Sequence, residues 1–130
     1  MKNYSRQREA ILNVLKSTKT HPTANEVYKM VQKEIPNISL GTVYRNLDAL
    51  NASGNILSIS VGSGTTHFDG DNSNHIYLHC KNCQKITDLR FDSKELNFLL
   101  ENEKFMPESL VCVVDGICSD CSNVSNQKTN

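Results

Sequence analysis

The 130-residue sequence lacks any run of about 18 apolar side chains, the length that a membrane-spanning helix needs. It also lacks an apolar signal core, because residues 1–6 lead into a polar helical pattern. With 38% hydrophobic and 22% charged residues, the composition is that of a globular protein, neither disordered nor fibrous. We therefore expect a cytoplasmic protein with no membrane partner, built as one domain or two small units.

The net charge is zero, but the charges are segregated along the chain. Residues 1–54 carry eight basic and four acidic side chains, whereas residues 55–130 carry six basic and ten acidic ones. A basic first half joined to an acidic second half is typical of a phosphate-backbone reader attached to something else. Chance segregation in a short chain is the alternative.

Apolar spacing in the first half predicts three helices, from Ser5 to about Lys16, from Thr23 to about Glu34 and from Leu40 to about Ala52. Two extended stretches follow, 56–61 and 65–69, separated by a glycine-rich turn. This order predicts a winged-helix DNA-binding domain over 1–70, with the third helix in the major groove and the hairpin along the backbone. A helical bundle with a β-hairpin lid and no DNA role is the alternative.

The second half predicts a small α/β unit over 75–121, preceded by a polar hinge at 71–74. Its expected elements are strands at 75–79, 86–91 and 110–114, with a helix from Asp92 to about Glu103. Residues 122–130 are polar and predicted to be a disordered tail. The chain as a whole is thus predicted to be α+β.

Five cysteines, an odd number, favour metal binding over disulfides in a reducing compartment. Four of them form two matched Cys-x-x-Cys pairs: Cys80 and Cys83, and Cys118 and Cys121. Two residues between ligands let the backbone turn around one ion, so the pairs predict a closed, structural Zn²⁺ site. Two redox dithiols are the alternative. Cys112, in an apolar strand, is predicted to be a buried hydrophobe.

A second set of candidate ligands clusters where the predicted units meet. Its members are His21, His67, Asp69, His75, Tyr77, His79 and Asp88. Imidazole and carboxylate together suit Fe, Mn, Zn or Ni. Each histidine alone is more typical of a surface or core residue, and the spacing leaves open whether His21 reaches Asp69.

With these motifs the chain resembles the ferric uptake regulator family, and within it the peroxide-responsive repressors, over residues 3–121. The resemblance is carried by both cysteine pairs, His75 and three segments: His21-Pro22-Thr23-Ala24, Ser39-Leu40-Gly41-Thr42-Val43-Tyr44-Arg45-Asn46-Leu47 and Phe68-Asp69. It implies a homodimer that binds palindromic operator DNA and represses oxidative-stress genes, with 75–121 as the dimerisation domain. It also implies that the protein is not an enzyme and has no small-molecule substrate beyond peroxide as a signal.

By position, the resemblance implies a regulatory Fe²⁺ or Mn²⁺ bridging the two domains. Its ligands would be His21, Asp69, His75 and Asp88. Asp69, where iron-uptake regulators typically carry glutamate, resembles the peroxide-sensing branch. In that branch, peroxide reacts with Fe²⁺, a ligand histidine at the position of His21 or His75 is oxidised, and the DNA is released.

Two features depart from the family pattern. Tyr77 stands where the family has a third histidine, so the site has four ligands, uses the phenol, or recruits His67 or His79. The chain also begins without the short helix that usually precedes Ser5, and we expect weaker operator binding as a result.

The predicted third helix supplies the candidate DNA contacts Thr42, Tyr44, Arg45 and Asn46, which surround apolar Val43 and Leu47. We expect Arg45 to reach guanine edges or phosphate and Tyr44 to touch a thymine methyl, although Tyr44 packed inside the domain is the alternative. Lys2, Arg6 and Arg8 are expected to bind the DNA backbone.

Three other functions fit parts of the pattern. The first is an iron- or zinc-uptake repressor that senses metal level without peroxide chemistry. The second is a non-haem metalloenzyme using the His/Asp set, which would need an open metal position and a substrate pocket. The third is a zinc-stabilised interaction module with no DNA role.

Overall fold

The chain forms two compact units in the computed structural model, residues 1–72 and 73–130. The structure describes residues 2–62, 64–73, 75–107 and 110–122. The boundary lies inside the segment 71–74 that the sequence predicts as a hinge. Of the predicted disordered tail, residues 123–130 lie outside the described residues. The predicted α+β class is confirmed, and none of the described helices is long and apolar enough to cross a membrane.

The first unit contains three helices and a hairpin: α1 (Lys2–Lys16), α2 (Ala24–Gln32), α3 (Leu40–Ala52), β1 (Leu57–Val61) and β2 (Thr65–Asp69). The hairpin strands are antiparallel, with registers from Val61 opposite Thr65 to Leu57 opposite Asp69. All five predicted elements are present. α1 begins earlier than predicted because its polar first turn has no apolar stripe to reveal it. α2 ends earlier because the Glu34 and Ile35 amides both donate to the Val31 carbonyl, which tightens the last turn.

Side-chain caps fix where α2 and α3 begin. The Thr23 hydroxyl accepts from the Glu26 amide at 3.3 Å, and the Glu26 carboxylate accepts from the Thr23 amide at 2.9 Å. This reciprocal pair is a capping box, and it starts α2 at Ala24, three residues after His21. Ser39 caps α3 by accepting from the Thr42 amide at 3.1 Å.

The core of the first unit lies where the three helices meet. Its buried side chains include Ile11, Leu15, Val27, Val31, Val43, Leu47, Leu50, Ile56 and Phe68. Ile35 and Ile38, in the connection between α2 and α3, are buried in the same cluster. This packing fixes the orientation of α3 against α1 and α2.

Gly70, directly after β2, passes against the last turn of α1. A Cβ atom at this position would lie 2.6 Å from the carbonyl carbon of Leu15 and 2.7 Å from the amide nitrogen of Lys16. Real Cβ atoms do not approach backbone so closely, so only glycine fits here. This close approach sets the course of the chain next to Asp69.

The second unit contains β3 (His75–Cys80), β4 (Ile86–Arg90), α4 (Ser93–Leu100) and β5 (Val111–Gly116). The sheet order is β4-β3-β5, with β3 antiparallel to β4 and parallel to β5. α4 ends three residues before its predicted end, and β5 runs two residues further than predicted. Tyr77, in the central strand, is fully buried.

Candidate metal centres and nucleic-acid interface

The two cysteine pairs meet at one end of the sheet in the second unit. Cys80 ends β3, and its parallel register partner in β5 is Gly116, two residues before Cys118. The Lys81 amide donates to the Gly116 carbonyl at 2.8 Å, which ties the first cysteine turn to the end of β5. All four thiols consequently lie within 4.8 Å of one another.

The spacing of the thiols fits one tetrahedral ion. The Sγ atoms of Cys80 and Cys121 are 3.8 Å apart, as are those of Cys83 and Cys118. A zinc–sulfur bond of about 2.3 Å implies sulfur–sulfur edges of about 3.8 Å in a tetrahedron. Because each of these close contacts joins one pair to the other, the arrangement fits a shared structural Zn²⁺ better than two separate redox dithiols.

The ionisation of the thiols supports the same reading. The backbone amides of Cys83 and Cys118 lower the pKa of Cys80 to about 6, so this thiol is a ready thiolate. Although a hydrogen bond with Asn82 lowers the pKa of Cys121, contact with the Cys118 thiol and burial raise it to about 11 overall. Four thiolates crowded this closely would repel one another, and a bound Zn²⁺ would supply the positive charge that stabilises them.

His79 is buried beside this cluster and has a protein partner at each ring nitrogen. Its Nδ1 lies 2.7 Å from Oδ1 of Asp115, and its Nε2 lies 2.9 Å from Oε1 of Gln84. The hydrogen bond to Asp115 raises the pKa of His79 above its usual value. Neither nitrogen is therefore offered to a metal ion in this conformation.

In the first unit the structure brings His21 and Asp69 together. Nε2 of His21 lies 3.7 Å from Oδ2 of Asp69, and both side chains are buried. The Asp71 amide donates to Oδ1 of Asp69 at 2.9 Å, which fixes the carboxylate. A buried imidazole beside a buried carboxylate is a donor set that suits Fe²⁺, Mn²⁺ or Zn²⁺.

β2 fixes the backbone at His21, which has a left-handed φ of 55°. The Phe68 amide donates to the Pro22 carbonyl at 2.9 Å, and Thr23 bridges His67 in antiparallel fashion. The imidazole of His67 contacts the His21 carbonyl oxygen through Nδ1 at 2.6 Å. His67 thus acts on His21 through the backbone, and this role was missed in the sequence.

The remaining candidate ligands lie in the second unit. Asp88 is a half-buried residue of β4, with Tyr77 as its register partner in β3. Tyr77 itself is fully buried within the unit. His75 begins β3, and its side chain lies outside the described part of the chain.

The exposed face of α3 carries three of the four residues predicted to contact DNA. Tyr44 is 45% exposed and Arg45 is exposed, so Tyr44 does not pack inside the domain. The Arg45 guanidinium donates to the Thr42 hydroxyl at 3.0 Å, and that hydroxyl also accepts from Ser39 at 2.9 Å. The face therefore presents a cation, a phenol and hydroxyls.

Asn46 differs from the expectation, because it is fully buried in the core. Its Oδ1 accepts from Nε of Arg8 at 3.0 Å, and its Nδ2 donates to the Thr42 carbonyl at 2.9 Å. Its spacing of three and four residues from Val43 and Leu50 places it on the buried stripe, a signal that the sequence offered.

Of the residues expected to bind the DNA backbone, Arg6 is exposed on α1, and the Lys2 side chain lies outside the described residues.

The sequence model of the ferric uptake regulator family matches residues 2–111. The chain belongs to this family. It is 33% identical to the peroxide-responsive repressor PerR of Staphylococcus aureus (strain USA300) over 121 residues, which is 90% of this chain and 80% of that protein. The family is one of metal-dependent transcriptional repressors.

Solved structures of the ferric uptake regulator family share the fold. The crystal structure of the Campylobacter jejuni peroxide stress regulator matches with a TM-score of 0.75 and 33% identity, covering 90% of each chain. The Helicobacter pylori ferric uptake regulator Fur matches with a TM-score of 0.74 and 21% identity over 90% of this chain and 80% of that one. The second likeness concerns the fold alone.

Proposed function

We propose that this member of the ferric uptake regulator family is a cytoplasmic, homodimeric repressor of oxidative-stress genes that binds palindromic operator DNA. Peroxide releases it by oxidising a histidine ligand of its regulatory metal, and it turns over no substrate. The observation that carries the proposal is the buried pair of His21 and Asp69, 3.7 Å apart. An aspartate at position 69 and the similarity to two peroxide regulators support the peroxide branch.

The proposed ligands of the regulatory Fe²⁺ or Mn²⁺ are His21, Asp69, His75 and Asp88. Bound Fe²⁺ would supply the electrons that reduce peroxide, with His21 or His75 as the oxidised side chain. His79 is held by two partners, which supports a site without it.

The chain around His21 offers a route from ligand oxidation to DNA release. His21 lies two residues before the capping box that starts α2, and α2 packs against α3. Asp69, the other member of the pair, is the last residue of β2 in the hairpin. An oxidised His21 would lose its place beside Asp69, and the turn leading into α2 would no longer be held in one position.

DNA binding is proposed for the exposed face of α3, with Thr42, Tyr44 and Arg45 at the major groove. Arg6 and Arg8, on α1, and Lys2 are proposed to bind the phosphate backbone, although Arg8 also holds Asn46. The excess of basic over acidic residues before position 55 supports this assignment. Asn46 is assigned a packing role instead.

Dimerisation is proposed through the second unit, because many of its large apolar side chains are exposed to solvent. Phe98 is 71% exposed and Met106 is 89% exposed. Leu78, Leu89, Leu99, Phe105, Val111, Val114 and Ile117 are exposed as well. Within the described residues β5 is also an edge strand. A second copy, related by two-fold symmetry, would cover this surface and match a palindromic site.

The test is anaerobic binding of zinc-replete protein to a palindromic, A·T-rich duplex with Fe(II) or Mn(II), before and after peroxide. We expect both metals to support binding and peroxide to abolish only the Fe(II) complex, with one oxygen atom added to the His21 or His75 peptide. Loss of both complexes would point to thiol oxidation instead. Cys112→Ser is the matched control, because it removes the one cysteine outside the zinc cluster and should leave the response unchanged.

The alternative within the family is a repressor that senses metal level alone. Tyr77, in place of a third family histidine, is the observation that favours it. Peroxide that leaves the Fe(II) complex intact would establish this alternative and refute the peroxide proposal. Metal-loaded protein that shows no salt-dependent duplex binding would refute both and favour a zinc-stabilised interaction module.

A further inference from the structure

His79 is a buried polar residue that neither the zinc site nor the proposed regulatory site uses as a ligand. It sits one residue before Cys80, and only 3% of its surface is exposed. We propose that His79, Asp115 and Gln84 form a clamp that holds the two cysteine pairs together and slows the loss of zinc. In this role His79 is a positioning residue, because it acts on the thiols through the backbone.

The first arm of the clamp joins the two strands that carry the cysteines. His79 and Asp115 are register partners across the parallel pair β3 and β5. Their side chains meet at 2.7 Å. Asp115 lies three residues before Cys118, so this bond fixes the separation between the end of β3 and the start of the second pair.

The second arm joins β3 to the turn that holds the first pair. Nε2 of His79 donates to Oε1 of Gln84 at 2.9 Å. The Gln84 amide nitrogen donates to the Lys81 carbonyl at 3.0 Å, which turns its oxygen toward His79. Gln84 has a left-handed φ of 67°, and its backbone amide donates to the Cys80 carbonyl at 2.9 Å. This arm therefore fixes the turn from Cys80 to Cys83.

One imidazole thus contacts residues that flank both halves of the zinc site. Burial of the imidazole limits the access of water to the His79 end of both hydrogen bonds, so we expect the clamp to persist when the metal is absent. Thiols that are already in place lose less conformational freedom when the ion binds. A thiol that dissociates from the zinc also stays close enough to bind it again. Partners outside the ligand shell typically change metal affinity by about 10–100-fold.

Three variants at position 79 separate the arms. His79→Asn keeps a donor near Nδ1 for Asp115, and His79→Gln keeps a donor near Nε2 for Gln84. His79→Leu fills the space with an apolar side chain that makes neither hydrogen bond. Anaerobic transfer of zinc to a chromogenic chelator should be about tenfold faster for His79→Leu. The two single-arm variants should fall between His79→Leu and the unchanged protein.

Asp115→Ala removes the first arm, the hydrogen bond between His79 and Asp115. Because the Asp115 side chain is exposed, this substitution puts folding least at risk. It should speed zinc transfer in the unchanged protein but add little in the His79→Gln background, because that arm is already broken. Ile76→Ala is the matched control, since it loosens the same strand outside the clamp. It should lower the melting temperature and leave the transfer rate nearly unchanged.

The metal-free protein gives a second readout. The Lys81 amide, which donates to the Gly116 carbonyl at 2.8 Å, should exchange with solvent about tenfold faster in His79→Leu. Unchanged zinc transfer in both His79→Leu and Asp115→Ala would overturn the clamp. The clamp would also be overturned if the rate of zinc transfer in these variants rose only in proportion to their loss of thermal stability, with Ile76→Ala following the same relation.

Discussion

The imidazole of His67 lies 2.6 Å from the carbonyl oxygen of His21, across 46 positions of sequence. A carbonyl oxygen accepts, so Nδ1 of His67 carries the proton and donates. This bond holds the backbone of a proposed metal ligand in a left-handed conformation that residues other than glycine adopt infrequently. His67 therefore prepares His21 without having to bind the metal.

We expect His67→Ala to weaken Mn(II) binding at the regulatory site about tenfold, because the turn at His21 loses its anchor. His67→Asn should restore most of the affinity, since its amide nitrogen can donate from nearly the same place as Nδ1. Calorimetric titration of zinc-replete protein measures both. Equal affinity in His67→Ala and the unchanged protein would show that the anchor is dispensable.

We expect Asn46→Ala to destabilise the first unit by about 1–3 kcal/mol, because it removes a fully buried acceptor for Arg8 and a donor to Thr42. Thermal unfolding measures the loss, and Asp48→Ala, exposed on the same helix, is the control. A variant with unchanged melting but weaker operator binding would return Asn46 to the DNA-contacting set.

Arg45→Ala should cost about 1–3 kcal/mol of operator binding and leave the melting temperature nearly unchanged, because its guanidinium is exposed and its hydrogen bond to the Thr42 hydroxyl lies on the surface of α3. Fluorescence anisotropy at two salt concentrations measures the effect. Lys94→Ala, a cation of the second unit, should bind like the unchanged protein. Matched losses in both variants would mean that Arg45 contributes only general charge.

Gly70→Ala should destabilise the first unit by more than about 2 kcal/mol, because the added methyl group meets the α1 backbone at 2.6 Å. Gly41→Ala is the control, since its new methyl group has room and alanine favours a helix. Chemical denaturation compares the two. If Gly70→Ala unfolds at the same midpoint as the unchanged protein, α1 and β2 do not pack as closely as described.

Much of the fold follows from local signals in the sequence. Capping by Thr23 and Ser39 and the helical spacing of apolar residues act over a few positions, so they can be seen without the fold. Element ends were less well predicted, as for β5, because strand pairing extends an element beyond its own sequence signal. The Cys-x-x-Cys pairs were equally visible, since a zinc ligand set has a characteristic spacing.

The roles of the other polar residues were decided by the tertiary structure. Asn46 looks like a DNA contact in sequence, but helix packing places it in the core beside Arg8. His67 and His79 look like spare metal ligands, yet their partners lie 46 and 36 positions away. Residue type and spacing determined that this protein binds metal. Which histidines hold the site in place depended on contacts between distant segments, because burial and hydrogen bonding arise only when those segments meet.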